Sequence, residues 1–357
     1  MAKKHGLRRL FLWIVADMLL LGAFLLAFAY FHHVRPQSYT PTLLASPSAA
    51  PTPEPTPAAV PEEPSGGEPG GAEPTAEPSP TPDLSGLLQG KYADKFTSGE
   101  VETTDMSYRS AKVSIEVEKV QTEDPCLTYY LADIYIQDIS SFKTAVAREY
   151  EAQNPADIKS TMDAALLSEL TGAILSLSGD NFAPQPSGRW IVRNGVEWVK
   201  KTPLAQDICV LYYDGTMETY RRNEADLDAI LARGPYHIWS FGPELLDDGQ
   251  AMETISGANG SAGKLNPRAA IGYYEPGHYC FLLADGRQKG YSLGMTCAEM
   301  SKLFYELGCA AAYNLDGGDT AIMCWGNAWM SQPENAAPRP CSDLLYIVEP
   351  DGTEAAE

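Results

Sequence analysis

Residues 310–326 read AAAYNLDGGDTAIMCWG. The apolar run 310–313 leads into Asn314-Leu315-Asp316-Gly317-Gly318-Asp319-Thr320, and a second apolar run, 321–325, follows. The pattern predicts a buried strand, a tight polar turn and a second buried strand. Paired glycines let the backbone reach positive φ and let a ligand approach closely. Two carboxylates, an amide and a hydroxyl crowd this one turn, more than a turn needs. Two readings follow. The stretch is a β-hairpin whose Asp and Asn side chains satisfy their own backbone, or it is a site at a strand end.

The flanking sequence repeats the theme. Upstream, Thr296 with Glu299 three residues on forms a capping-box pattern that opens a helix to about residue 307. Before it, residues 279–284 form a strand that delivers Asp285-Gly286-Arg287, and 290–294 read as a flexible loop. Residues 266–272, NPRAAIG, enter a strand that turns near Pro276-Gly277. Residues 237–246 carry an apolar strand into Ser240-Phe241-Gly242-Pro243. Hairpins are predicted at Asn194-Gly195 and Asp214-Gly215. Leu227, Ile230 and Leu231 make a short helix stopped by Gly234. Residues 172–177 form a strand that ends in Ser178-Gly179-Asp180-Asn181-Phe182.

Toward the N-terminus, residues 113–117 alternate as a half-buried strand, and 127–136 are apolar on both faces, as in a central strand. Two helical stripes lie between: Phe142, Val146 and Tyr150 within 141–150, and Ile158, Met162, Leu166 and Leu170 within 155–170. Asn154 and Pro155 suit the cap and first turn of the second. A last strand spans 344–348. The fold class is therefore α+β: a mixed, mostly antiparallel, multi-stranded sheet core with flanking helices.

The first ninety residues differ in kind. A basic tail, 1–9, precedes an apolar run, 10–32, long enough to span a bilayer as a helix. The basic flank places the N-terminus in the cytoplasm and the remainder outside, a single-pass cell-membrane protein with an extracellular domain. The rival is a cleaved signal peptide, since Ala27-Phe28-Ala29 has a small-x-small pattern. Residues 33–90 are dominated by Pro, Glu, Gly, Ser, Thr and Ala, a composition that reads as a disordered stalk. Residues 91–357 form the ectodomain, with its core motifs in 170–349. The net charge of -21 makes nucleic acid a poor partner, because phosphate backbones require clustered Lys and Arg. Seven cysteines form no CxxC pair, which argues against a zinc ribbon, and the scattered histidines give no triad.

Asp180, Asn181, Arg268, Asp285, Arg287, Asn314, Asp316 and Asp319 all lie at or beside predicted strand ends. Guanidiniums suit bidentate binding of phosphate. Carboxylates serve as acid and base at a glycosidic bond, or as hard ligands for Ca²⁺ or Mg²⁺. A site with both suits a substrate that joins sugar to phosphate. Asp285-Gly286 is equally a plain hairpin turn.

The ordered set SGDNF (178–182), SFGP (240–243), NPRAAIG (266–272), ADGR (284–287), GYSLGMT (290–296) and NLDGGDT (314–320) resembles the phosphodiester glycosidase domain. That family includes the lysosomal uncovering enzyme, an N-acetylglucosamine-1-phosphodiester alpha-N-acetylglucosaminidase, and bacterial exported proteins associated with exopolysaccharide. The chain departs from the family pattern in two places. Ser178-Gly179 stands where Asn-Gly is usual, and Asp319 stands where a third glycine is usual.

The resemblance implies a hydrolase that cleaves sugar-1-phosphodiester linkages in exopolysaccharide or envelope glycans, and the apolar span outside the resemblance makes it a membrane-anchored one. By the same resemblance Asp316, Asp180 and Arg268 are catalytic. Asn181, Arg287, Asn314, Gly317, Gly318, Thr320 and Ser240 bind substrate, and Asp316 with Asp319 is a candidate pair for Ca²⁺ or Mg²⁺. The partners are a glycan or sugar-phosphodiester substrate and the membrane. The other class of reading is a non-catalytic glycan-binding or envelope-organising protein on the same fold, which the altered first motif favours.

Overall fold

The computed structural model describes residues 87–88, 90–150, 160–180, 188–252, 254–255 and 260–350, all within the compact unit Glu77–Glu357. The basic tail, the 10–32 span, most of the stalk and the cap expected at Asn154-Pro155 lie outside these residues. Among the described residues no helix is long and apolar enough to cross a membrane.

In chain order the strands are β1 Glu102–Thr103, β2 Ser107–Arg109, β3 Val113–Glu123, β4 Cys126–Ile136, β5 Phe142–Val146, β6 Leu175–Ser178, β7 Trp190–Arg193, β8 Val196–Lys200, β9 Ile208–Tyr212, β10 Met217–Tyr220, β11 Pro235–Trp239, β12 Leu246–Asp247, β13 Gln250–Ala251, β14 Arg268–Glu275, β15 His278–Ala284, β16 Ala311–Asn314, β17 Met323–Trp325, β18 Ala328–Trp329 and β19 Asp343–Ile347. The helices are α1 Ala147–Tyr150, α2 Ala164–Thr171, α3 Leu227–Arg233 and α4 Cys297–Glu306. A seven-stranded sheet has the order β1-β2-β3-β4-β15-β14-β16, and two five-stranded sheets have the orders β10-β9-β11-β7-β8 and β18-β17-β6-β19-β5. Neighbouring strands in all three run antiparallel, as expected for the α+β class.

One face of each sheet turns inward to a shared core. Tyr279, Phe281 and Leu283 of β15 meet Trp239 of β11, Leu175 and Leu177 of β6, and Leu345 of β19 there. The alternate residues, Cys280, Leu282 and Ala284, face Met300 and Phe304 of α4 on the other side. This period of two is the strand repeat, and each buried apolar side chain contributes about 1.5–3 kcal/mol. Gly272 in β14 lets α4 rest on backbone: an added Cβ would lie 2.8 Å from the Phe304 ring and 2.6 Å from Cys280 Sγ. Helix α4 opens with the expected capping box of Thr296 and Glu299. The turns at Asn194-Gly195 and Asp214-Gly215 and the stop at Gly234 stand where their residues predict.

Three expectations are corrected. Residues 142–146 are strand β5, paired with β19 in the register Asp343↔Val146 to Ile347↔Phe142, not the first part of a helix. Residues four apart share a face in a strand as well as in a helix, so the Phe142/Val146 stripe fits both, and the ladder with β19 decides. The stretch 310–326 is not a hairpin: β16 pairs with β14 in the seven-stranded sheet, whereas β17 pairs with β6 and β18 in another. Its polar residues therefore sit where two sheets part. Residues 290–294 are a tied turn rather than a free loop, since Gln288 and Ser292 exchange backbone hydrogen bonds and buried Ser292 Oγ donates to Asp285 O at 2.6 Å.

His237 of β11 is fully buried. Asn194 N–H donates to Nδ1 at 3.2 Å, which leaves the ring proton on Nε2, 3.4 Å from Phe142 O. Burial, helped by the Arg193 charge, pushes its pKa down to about 3. The unfolded ring titrates near pH 6.5, so its share of stability is complete above about 6.5 and is lost as pH falls toward 3. We expect ¹⁵N shifts of a neutral Nε2–H ring from about pH 8 to about pH 4.5; a midpoint near 6.5 would show that water reaches the ring.

Candidate active site

The strands that end near one another bring acids and guanidiniums together in two layers. The deeper layer is an ion network. Asp180, two residues past β6, accepts from Arg189 Nη2 at 2.8 Å, from Arg193 Nη2 at 3.2 Å and from the Ser240 backbone N–H at 2.7 Å. Arg193 also donates through Nε to Asp343 Oδ2 at 2.9 Å, and through Nη1 to the Val192 and Ile238 carbonyls. The side chains of Asp180, Arg193 and Asp343 have no exposure. Burial raises the Asp343 carboxyl above its usual range even against the attraction of Arg193. Gly179 has no alternative here, because an added Cβ would lie 2.8 Å from the Asp343 carboxylate.

The network holds up the second layer through the backbone. Asp316 N–H donates to Gly179 O at 2.9 Å, and Ser342 Oγ donates to Asp180 O at 2.8 Å. Above it lies a cleft of about 230 Å³. One wall is Phe241, Gly242 and Pro243; Arg268, Arg287, Asn314, Asp316, Asp319 and Arg339 also line it. Asn314 fixes the wall twice: its Nδ2 donates to Gly242 O at 2.6 Å and its N–H to Pro243 O at 3.1 Å. A larger groove of about 560 Å³ elsewhere is lined by acids, of which Glu244 and Asp247 are held by Arg221 at 2.6 and 2.8 Å.

The three arginines of the cleft are held differently. Arg287 bonds Asp319 Oδ1 at 3.0 Å, Glu334 Oε2 at 3.3 Å and Asn266 Oδ1 at 3.1 Å. Arg339 Nη2 lies 3.7 Å from Asp316 Oδ2 and donates to Thr320 Oγ1. Arg268, 6% exposed, donates only to carbonyls: Nε to Met295 O at 2.8 Å, and Nη2 to Ser261 O at 2.6 Å and Lys264 O at 2.8 Å. It has no carboxylate partner among the described residues, and burial lowers its pKa. A buried cation without a counter-ion beside a cleft is a strong anion receptor.

Asp316 is 8% exposed. Burial raises its pKa and Asp180 adds to the rise, while Thr320, Arg339 and the Gly317 N–H oppose it. The glycines beside it serve packing. An added Cβ on Gly317 would lie 2.7 Å from Pro267 O, and Gly318 N–H donates to that same oxygen at 2.9 Å.

The structure thus brings Arg268, Arg287, Asn314, Asp316, Gly317, Gly318 and Asp319 to one cleft. Asp180 and Ser240 do not line it; they lie in the network behind, with Asp180 receiving Ser240 N–H. Thr320 touches the cleft through Arg339, and Asn181 lies outside the described residues. Ser178 is buried and accepts from Ile322 N–H at 3.3 Å. Asp285 accepts from Tyr291 Oη at 2.8 Å and Gln332 N–H at 3.1 Å, which fixes the turn against the loop ahead of β19. The donor set does not fit Ca²⁺ or Mg²⁺: Asp319 is engaged with Arg287, three guanidiniums line the cleft, and no group of three metal-ligating side chains forms among the described residues. Sequence reading missed Arg189 and Arg193 in the network, and Arg339 and Asp343. Their signal was position alone: each lies at or just beside a strand end, Arg189 just before β7 and Arg193 closing it, Arg339 ahead of β19 and Asp343 opening it.

Breaking the network should be costly. Arg193→Met would strip the buried Asp343 carboxylate of its guanidinium partner and leave Asp180 to Arg189, and should destabilise the protein by about 3–5 kcal/mol in urea unfolding. A loss below about 1 kcal/mol would show that the pairs are water-supported and do not hold the cleft.

The phosphodiester glycosidase family model matches residues 171–348. The SPbeta prophage-derived uncharacterized protein YomE of Bacillus subtilis (strain 168) is 30% identical over 145 residues, which are 41% of this chain and 22% of that protein. The zebrafish N-acetylglucosamine-1-phosphodiester alpha-N-acetylglucosaminidase catalytic domain, auto-inhibited by pro-peptide, aligns with a TM-score of 0.52 at 15% identity over 71% of this chain and 86% of its own, a likeness of fold. A hypothetical protein from Synechocystis aligns with a TM-score of 0.45 at 12% identity over 70% of this chain and 64% of its own. Through residues 171–348 the chain belongs to the phosphodiester glycosidase family.

Proposed function

We propose that this cleft hydrolyses sugar-1-phosphodiester linkages of exported glycans, with Asp316 as the acid and Arg268 as the principal phosphate receptor. The observation that carries the reading is Arg268: a buried guanidinium with only carbonyl partners among the described residues, in the same cleft as a buried carboxyl whose pKa burial raises. Family membership supports a hydrolase of phosphodiester–sugar linkages. The apolar span and Pro-rich stalk support a membrane-anchored, extracellular placement, with exopolysaccharide or envelope glycan as the substrate.

In this mechanism Arg268 takes the non-bridging phosphate oxygens, and the Phe241–Pro243 wall, held by Asn314, fits the sugar. Water attacks the anomeric carbon, the carbon–oxygen bond to phosphate breaks, and the proton shed by the attacking water passes to solvent. The electron pair goes to the phosphate oxygen, which receives the Asp316 proton. Fixed cations around the leaving group lower the barrier without reorganising. Because burial raises the Asp316 pKa, its acid form persists to higher pH than an ordinary Asp; activity should fall as pH rises through that value.

The test is release of free sugar from a GlcNAc-1-phosphodiester, followed by mass spectrometry on the full chain in detergent. Asp316→Asn should lower kcat/KM by about 10²–10⁴ and remove the alkaline limb. Arg268→Ala should lower it by about 10²–10³. Sugar-1-phosphate as the product would instead mean cleavage of the phosphorus–oxygen bond. Glycan binding without turnover across a panel of diesters would leave the non-catalytic reading.

A further inference from the structure

The cleft contains one guanidinium that is free to change partners. Arg268 is locked by backbone carbonyls, and Arg287 by two carboxylates and an amide. Arg339 is different. Its side chain is 57% exposed, its contact with Asp316 Oδ2 is 3.7 Å long, and its other partner is a hydroxyl, Thr320 Oγ1. Its backbone is pinned, since Arg339 N–H donates to Asp319 O at 2.8 Å, so the side chain pivots from a fixed point on the cleft rim. A long, exposed ion pair contributes little, whereas a phosphodiester offers the bidentate, charge-assisted geometry that a guanidinium favours.

We infer that Arg339 is a substrate-binding residue that leaves Asp316 for the phosphodiester of the incoming ligand, and so frees Asp316 Oδ2 toward the reacting oxygen. Before the ligand arrives, Arg339 lies beside Asp316 and offsets its charge toward an approaching anion. In the complex its charge joins that of Arg268 on the phosphate, and Asp316 keeps only Thr320 and the Gly317 N–H. Binding and release of the catalytic carboxyl thereby become one event. No bond is made or broken in this step; a guanidinium exchanges one oxygen partner for another.

The inference rests on the hydrolase reading of the cleft, and a binding experiment separates the two. The probe is a methyl ester of a GlcNAc C-glycosyl phosphonate, which carries one negative charge and cannot be hydrolysed. Its dissociation constant would be measured calorimetrically for the full chain and for Arg339→Gln, Asp316→Asn and the double variant. Partner exchange predicts that Arg339→Gln weakens binding. It also predicts that Asp316→Asn tightens binding more when Arg339 is present than when it is absent, by about fivefold. Arg339→Lys should restore charge but not the bidentate fit, with intermediate affinity. Urea unfolding midpoints within error of wild type for the Arg339 variants would separate this role from a structural one. Additive effects of the two substitutions, or an unchanged dissociation constant in Arg339→Gln, would overturn the inference while leaving diester turnover to judge the hydrolase. Failure of the wild-type protein to bind the phosphonate would remove the phosphate-receptor reading and this one with it.

Discussion

Arg193 is the interaction on which the rest of the cleft depends. It is a fully buried guanidinium at the end of β7 that holds Asp180 beyond β6 and Asp343 at the start of β19. These residues come from two different five-stranded sheets, and the Ile238 carbonyl it also binds is in a fourth strand, β11. Pairing two acids with Arg193 and Arg189 offsets the large cost of burying charge. The arrangement leaves little freedom, because Gly179 is the residue type that allows the Asp343 carboxylate so close to the backbone. Moving any member of this set would move Gly179 O, which accepts the Asp316 N–H.

The cleft built on that support is polarised. Behind Asp316 lies the negative charge of Asp180, and around its mouth lie Arg268, Arg287 and Arg339. The first favours a carboxyl that keeps its proton; the second favours an anionic ligand. Both preferences suit a reaction in which a proton and positive charge are delivered to a departing phosphate. Asp319 is engaged by Arg287 rather than left free for a metal. It joins Arg287 and Glu334 in a rim ion pair that fastens the loop carrying Arg339.

Much of this was legible in local residue patterns. Turns at Asn194-Gly195 and Asp214-Gly215, the Gly234 stop and the Thr296/Glu299 capping box depend on residues within four positions of each other. Their chemistry is local, so sequence shows it. The polar strand ends were equally visible, and seven of the residues singled out converge on one cleft. The assignment that fared worst, 141–150 as helix, failed because its apolar spacing fits a strand face as well, and the ladder with β19, nearly two hundred residues away, decides between them. The hairpin reading of 310–326 failed for a related reason: adjacency in sequence does not say whether two strands share a sheet.

The sequence alone determined the element boundaries set by turn and cap chemistry, the α+β class, the family and the set of chemically capable residues. It did so because these follow from short-range sterics, hydrogen-bonding capacity and motif order. Tertiary structure decided which of those residues face the cleft. Asp180 and Asp316 are both carboxylates at strand ends next to glycine, yet one is enclosed by two guanidiniums and a backbone N–H while the other faces the cleft. That difference arises from long-range packing of three sheets, which places Arg193 against the first and Arg339 beside the second.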